Sequence, residues 1–132
     1  KAFFISYMNK QPTKRKLMTD HQSSEYEIKV RYPKTLEKFK EVQKEQLELF
    51  CRKQLDYGPS NIGLGTAKPV KPNDIRLSAM GVGIRMQDKI SRFLNLSMND
   101  KEPNNESLDD TLIDIANYAI MALIVRHKKW GK

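Results

Sequence analysis

A largely apolar segment of this 132-residue chain, residues 106–125, contains acidic and amide side chains at regular spacing. Asp110, Asp114 and Asn117 are three or four residues apart, which places them on one face of a helix. A carboxylate among apolar side chains is costly unless it is paired, hydrogen-bonded or bound to a metal ion. The sequence therefore predicts that these acids have a partner, either a divalent cation or a group of basic side chains.

Two further carboxylates, Glu45 and Glu48, lie together on one face of another predicted helix. Two helices that each contribute two carboxylates can form a Mg²⁺ site, because Mg²⁺ prefers hard oxygen ligands and keeps some of its waters. The predicted ligands of Mg²⁺ are Glu45, Glu48, Asp110 and Asp114. The alternative is a solvent-exposed helix face for the two glutamates and a helix cap for Asp110, which follows Ser107 in a capping-box pattern.

Basic side chains form a third set. Arg85, Lys89 and Arg92 share one face of a predicted helix, and Lys53 lies near the end of the preceding one. Fixed positive charges suit phosphate groups, and arginine can make two parallel hydrogen bonds to one phosphate. These four residues are therefore the predicted phosphate-binding group. Internal salt bridges to aspartates are the alternative, and the two interpretations are compatible.

Tyr57, Asn61 and Asn117 are the predicted contacts to a base or sugar, because a tyrosine ring can stack on a base and an amide can hydrogen-bond to its edge. For Tyr57 and Asn61 the alternative is a helix end followed by a turn, since a glycine and a proline come between them. A basic run at residues 14–16 offers a contact to nucleic acid. A solvated charge cluster is the simpler interpretation of that run, which has no recognition motif.

Three helices are expected to position these residues. The spacing of apolar side chains and the helix-breaking residues predict them over about residues 35–55, from 75 or 78 to 96, and from 107 into the basic run at 126–129. In the second helix the residues expected to face the core are Ile84, Ile90, Phe93 and Leu94.

The N-terminal part differs from the rest. Residues 25–32 alternate polar and apolar side chains, which is typical of a half-buried strand, and residues 3–7 can form another strand. The predicted fold is therefore mainly α, with a small N-terminal β element that can be a hairpin. We divide the chain into an N-terminal β and basic extension at 1–33 and a helical domain at 34–132.

The composition limits the choice of partners and compartment. A formal net charge of +8 favours an anionic partner such as a nucleotide, a nucleic acid or anionic lipid. The single cysteine, Cys51, cannot form an internal disulfide, which predicts a reducing compartment and a cytoplasmic location. No apolar run reaches the roughly 18–20 residues of a membrane-spanning helix, so no membrane partner is expected. The helix from residue 107 is apolar on too many sides for a small domain to bury, which predicts a dimer or larger assembly.

Three blocks occur in order along the chain: 53–58 with Asn61, then 81–92, then 106–118. Together they resemble the nucleotide-modification-associated domain of the first type, a small family of phages and bacteria, over roughly residues 36–128. That family is similar to the all-α nucleoside triphosphate pyrophosphohydrolases of the MazG-like group. The resemblance therefore implies a MazG-like helical bundle that binds a nucleotide. In that group a Glu-Glu-x-x-Glu motif on one helix and a Glu-x-x-Asp motif on a later helix together bind Mg²⁺.

Glu45 and Glu48 match part of the first motif, with Lys44 where an acid is expected. Asp114 matches the end of the second, with Thr111 where an acid is expected. The resemblance implies a Mg²⁺-dependent pyrophosphohydrolase of nucleotide metabolism or DNA base modification, in which Glu45, Glu48 and Asp114 are catalytic. A protein that binds a nucleotide or nucleotide-like signal without hydrolysing it is the second hypothesis. A basic accessory protein that binds nucleic acid is the third.

Overall fold

The computed structural model describes residues 20–62 and 66–132, and every regular element within these ranges is a helix. The mainly α fold is therefore confirmed. None of the helices in these ranges is both long and apolar enough to cross a lipid bilayer. The elements are α1 (Asp20–Arg31), α2 (Pro33–Tyr57), a 3₁₀-helix (Pro59–Ile62), α3 (Pro72–Met98) and α4 (Leu108–Arg126).

The chain divides into two compact units between Lys40 and Glu41, within α2. The first unit contains α1 and the start of α2. Glu27 and Arg31 form an ion pair of 2.5 Å one turn apart on α1, and Lys40 lies 2.5 Å from Glu25. All four side chains are largely exposed, so each pair contributes little to stability.

The strand predicted over residues 25–32 is wrong, because this segment belongs to α1 and its end. The alternating apolar side chains are exposed in the helix, for example 62% for Tyr26 and 65% for Val30. A strand would need a neighbouring strand to pair its backbone groups, whereas a helix pairs them locally. The N–H of Tyr32, for instance, donates to the carbonyl of Ile28 at 2.7 Å. The other predicted strand, residues 3–7, lies outside the described residues.

Local signals set the ends of the helices in the second unit. Gly58, just after α2, has φ +65°, and its N–H donates to the carbonyl of Gln54 at 2.9 Å. Glycine adopts this left-handed conformation at little cost, so α2 ends there. At the start of α4 the Ser107 hydroxyl accepts from the Asp110 N–H at 3.1 Å and donates to the Asp110 carboxylate at 2.8 Å. The predicted helix cap is therefore confirmed.

Helices α3 and α4 pack against each other and run antiparallel. Arg92 of α3 contacts Thr111 of α4, and Lys89 contacts Asp114, so moving back along α3 corresponds to moving forward along α4. The chain after α4 folds back onto this unit, where the Trp130 indole N–H donates to the Pro59 carbonyl at 2.8 Å. The buried apolar core consists of Ile62, Val82, Met121, Val125 and Trp130, with Phe50 of α2 packed against it.

The predicted core face of α3 is wrong for three of its four residues. Ile84, Ile90 and Leu94 are 57%, 38% and 48% exposed. The basic side chains of Lys89 and Arg92 face α4 instead. Lys89 pairs with Asp114, and Arg92 donates to the Thr111 hydroxyl. The residues of α3 that are buried are Ser78, Gly81 and Val82.

Candidate functional site

A cavity of about 500 Å³ lies in the second unit, between α2, the 3₁₀-helix, α3 and α4. This volume falls within the roughly 300–1,000 Å³ that is usual for small-molecule sites. Its lining combines aromatic, amide and charged side chains with one methionine. The lining residues are Phe50, Lys53, Gln54, Tyr57, Asn61, Arg85, Asp88, Lys89, Glu106, Asp114, Asn117, Tyr118 and Met121.

Each of the three helices presents one face to the cavity. Residues three and four apart lie side by side on a helix, and the lining residues follow this spacing. The contributions are Phe50, Lys53, Gln54 and Tyr57 from α2, Arg85, Asp88 and Lys89 from α3, and Asp114, Asn117, Tyr118 and Met121 from α4.

A network of charged side chains forms one wall of the cavity. The Asp114 side chain is only 5% exposed, and each of its oxygens binds one ammonium group. Lys53 Nζ lies 2.7 Å from Oδ1, and Lys89 Nζ lies 2.9 Å from Oδ2. Lys89 Nζ also donates to Glu106 Oε2 at 2.7 Å. The buried acid therefore has the partner that the sequence predicts, and the partner is basic.

The network shifts two pKa values. Burial raises the pKa of Asp114, but the hydrogen bonds and charges of Lys53 and Lys89 outweigh burial and hold this pKa below its usual 3.8. Burial lowers the pKa of Lys89, but the hydrogen bonds and charges of Glu106 and Asp114 outweigh burial and raise this pKa above 10.5. Both groups are therefore charged at neutral pH.

The two arginines of the predicted phosphate-binding group have different roles. Arg92 does not line the cavity, and its guanidinium donates to the Thr111 hydroxyl and to the Glu106 carbonyl. Arg85 lines the cavity and donates to the Asn61 carbonyl. Among the described residues no carboxylate forms an ion pair with Arg85. Arg85 is thus the basic lining residue whose charge is not neutralised by a direct ion pair.

The amide side chains of the cavity also differ in their bonding. Asn117 donates through Nδ2 to the Gln46 carbonyl at 3.2 Å, which ties α4 to α2. Gln54 Oε1 and Asn61 Oδ1 are buried and have no hydrogen-bond partner among residues 20–62 and 66–132. A buried polar atom without a partner is uncommon, because its lost hydration is not compensated.

Aromatic rings complete the lining. Phe50 meets Trp130 edge to face, with ring centroids 6.3 Å apart and an angle of 71° between the ring planes. Phe50 lines the cavity and Trp130 does not, so the Trp130 ring supports the Phe50 ring from outside the lining. Tyr57 is 67% exposed, and Tyr118 is partly buried. Rings of this kind can stack on a planar ligand.

Most of the predicted site residues come together at the cavity, and the rest do not line it. Glu45 and Glu48 are exposed on α2, and Asp110 is exposed and caps α4 through Ser107. The basic run at residues 14–16 lies outside the described residues. The predicted residues that line the cavity are Lys53, Tyr57, Asn61, Arg85, Lys89, Asp114 and Asn117.

The predicted magnesium ligands are not gathered into one group. Within residues 20–62 and 66–132, no three Asp, Glu, His or Cys side chains are placed to hold one metal ion. Both oxygens of Asp114 face ammonium groups, and the Asp110 carboxylate accepts from Ser107. As placed, these side chains do not fit Mg²⁺, which requires several oxygen ligands in an octahedral arrangement. The magnesium site stays a prediction.

Several lining residues were not predicted as site residues: Phe50, Gln54, Asp88, Glu106, Tyr118 and Met121. Helical spacing carries the signal for most of them, since Gln54 is three residues before Tyr57 and Tyr118 is four after Asp114. Glu106 gives no such signal, because it precedes the cap of α4 and lies outside the helix.

Residues 53–125 match the family model described as nucleotide modification associated domain 1. The match covers α3, the last turn of α2 and all of α4 except Arg126, and it contains every lining residue except Phe50. No curated protein and no solved structure matches the chain.

Proposed function

The chain belongs to the nucleotide modification associated domain 1 family, and from this premise we propose that its cavity binds a free nucleotide. The observation that carries the proposal is the lining itself. One cavity combines aromatic rings with an arginine that forms no ion pair, and with amide oxygens that have no hydrogen-bond partner, within the described ranges. Arginine suits the phosphate, and aromatic rings suit the base. The amide oxygens can accept hydrogen bonds from the base or the sugar.

Arg85 is the proposed phosphate contact. Its guanidinium has five N–H donors, and its contact with the Asn61 carbonyl uses one nitrogen. The remaining donors can form two parallel hydrogen bonds to a phosphate. Lys53 is 42% exposed and already pairs with Asp114, so it offers a second, weaker attraction.

Binding without hydrolysis is the form of the proposal that the charged network favours. Activation of a water molecule by Mg²⁺ would require free carboxylate oxygens, whereas those of Asp114 accept from Lys53 and Lys89. A pyrophosphohydrolase is the competing hypothesis, and it requires a rearrangement in which both lysines release this carboxylate.

Isothermal titration calorimetry with nucleoside mono-, di- and triphosphates tests the proposal, together with an assay for released pyrophosphate with and without Mg²⁺. We expect binding of at least one nucleotide and no release. Arg85→Ala should weaken binding about ten- to a hundredfold, the usual effect of losing a hydrogen bond to a charged group. The control is Arg52→Ala, an exposed arginine of α2 that does not line the cavity, which should leave affinity unchanged.

Two results contradict parts of this proposal. Absence of binding by every nucleotide contradicts a nucleotide site. Pyrophosphate release that depends on Mg²⁺ and is abolished by Asp114→Asn would instead support the pyrophosphohydrolase hypothesis.

We also propose that the chain forms a dimer or larger assembly through the outer faces of α3 and α4. On α4 the exposed fractions of Leu112, Ile120 and Leu123 are 43%, 44% and 54%. On α3 those of Ile84 and Leu94 are 57% and 48%. Two copies related by a twofold axis would cover the same apolar patch on each other. Light scattering should give more than the 15.4 kDa of one chain. A monomeric mass at high protein concentration would contradict this proposal.

A further inference from the structure

Two residues that line the cavity each have a buried side-chain oxygen without a hydrogen-bond partner in the described part of the chain: Gln54 Oε1 and Asn61 Oδ1. Across the described residues these are the only buried side-chain polar atoms in that condition, and both residues line the cavity. They belong to consecutive elements, since Gln54 lies in the last turn of α2 and Asn61 in the 3₁₀-helix. A buried acceptor without a partner is costly, so a bound ligand that donated hydrogen bonds to these oxygens would gain affinity.

The side chains around the cavity do not supply those donors. The Arg85 guanidinium donates to the main-chain carbonyl of Asn61 and not to the Asn61 side-chain oxygen. The Asn117 amide is bonded to the Gln46 carbonyl, and the Lys89 ammonium to Glu106 and Asp114. Both oxygens are also shielded from bulk water.

A ligand group that pairs both oxygens must donate two hydrogen bonds. An exocyclic amino group carries two N–H bonds on one nitrogen, so it can donate to two separate oxygens. A keto oxygen in the same position is itself an acceptor, and it would leave both amide oxygens unpaired. The terminal torsions of Gln and Asn are broad, so a modest rotation can turn each oxygen towards a ligand.

We propose that the nucleotide bound here carries a base with an exocyclic amino group, and that Gln54 and Asn61 accept its hydrogen bonds. This inference rests on the proposed function, because it names the class of nucleotide that the same cavity selects. Gln54 and Asn61 are then specificity-determining residues, and Arg85 contributes affinity without regard to the base.

Matched ligand pairs test the inference on the unmodified protein by calorimetry. Each pair consists of a nucleoside monophosphate and the same molecule with its amino group replaced by hydrogen. The pairs are the monophosphates of adenosine and purine riboside, of guanosine and inosine, and of cytidine and its analogue with hydrogen in place of the amino group at C4. We expect the amino form to bind about tenfold more tightly in at least one pair, since it pairs acceptors that otherwise stay unpaired. Equal affinities within all three pairs overturn the inference while the nucleotide site stands. Absence of binding by all six ligands overturns the inference, and absence of binding by every nucleoside mono-, di- and triphosphate overturns the nucleotide site as well.

The variant Gln54→Leu assigns the preference to this wall. It should lower the affinity for the amino form and so reduce the preference, because Asn61 Oδ1 remains as the one acceptor, and it should leave the affinity for the form with hydrogen in place of the amino group unchanged. A preference retained in full by a folded Gln54→Leu protein overturns the role of Gln54. The matched control is Gln43→Leu, at an exposed position of α2 away from the cavity, which should keep the preference. If Gln54→Leu does not fold, the ligand pairs on the unmodified protein still decide.

Discussion

Replacing Asp114 with asparagine should destabilise the protein by about 1.5–4 kcal/mol. The change keeps the shape of the side chain and removes the charge that holds two lysines. Asparagine retains one acceptor oxygen, but its NH₂ group then faces one of the ammonium groups. The carboxylate is 5% exposed, so little water is available to compensate for the lost interactions.

The magnitude follows from the exposure of each partner. A hydrogen bond to a charged group contributes roughly 1.5–3 kcal/mol. The bond with Lys89 falls in that range, because the Lys89 side chain is 24% exposed. Lys53 is 42% exposed and regains water when released, so its contribution is discounted to about 0–1 kcal/mol. Lys89 keeps its bond to Glu106, which limits the cost of leaving its charge without Asp114.

Urea unfolding at pH 7, followed by circular dichroism, measures this difference. The control is Asp88→Asn, the same chemical change at an exposed residue that lines the same cavity and forms no ion pair among the described residues. It should change the free energy of unfolding by no more than about 0.5 kcal/mol. A loss below about 1 kcal/mol for Asp114→Asn, with an unchanged m-value, would refute the reasoning.

Three further outcomes are expected. The pKa of Asp114 is lowered, so the stability that this carboxylate contributes is full above pH 3.8 and is lost as the pH falls from 3.8 through the lowered value. The pKa of Lys89 is raised, so the stability that this ammonium group contributes is full below pH 10.5 and is lost as the pH rises through the raised value. Unfolding measured across pH should show both losses, and an acid loss unchanged in Asp114→Asn would contradict the assignment. Ser107→Ala should cost about 1 kcal/mol in urea unfolding by removing the cap of α4, and no cost would argue against that cap. Millimolar Mg²⁺ should not raise the melting temperature of the nucleotide-free protein, and a rise would reveal a metal site.

Helical spacing was sufficient to select several residues that the fold brings to one cavity. Lys53, Arg85, Lys89 and Asp114 were predicted from their positions on helix faces, and they line one cavity. What spacing cannot give is the distance between faces of different helices. Glu45 and Glu48 share a face with each other, but whether that face reaches Asp114 depends on how α2 packs.

The two errors in the fold have different physical origins. Residues 25–32 alternate in polarity, but the segment buries little in either conformation, so the pattern alone does not decide between strand and helix. Ile84 and Leu94 were expected in the core because they are apolar. The ion pairs of Lys89 with α4 instead turn the polar face of α3 inward. Burial of a paired network overrode the hydrophobic pattern at this position.

The position of Trp130 gives the protein an optical reporter. It is the single tryptophan of the chain, it is 2% exposed, and its ring contacts Phe50, whose own ring lines the cavity. Its indole fluorescence therefore arises from one site, without a second tryptophan to separate. A ligand that shifts Phe50 changes the surroundings of the indole, and unfolding exposes the indole to water. Emission from Trp130 thus reports both occupancy of the cavity and integrity of the fold, with no added label.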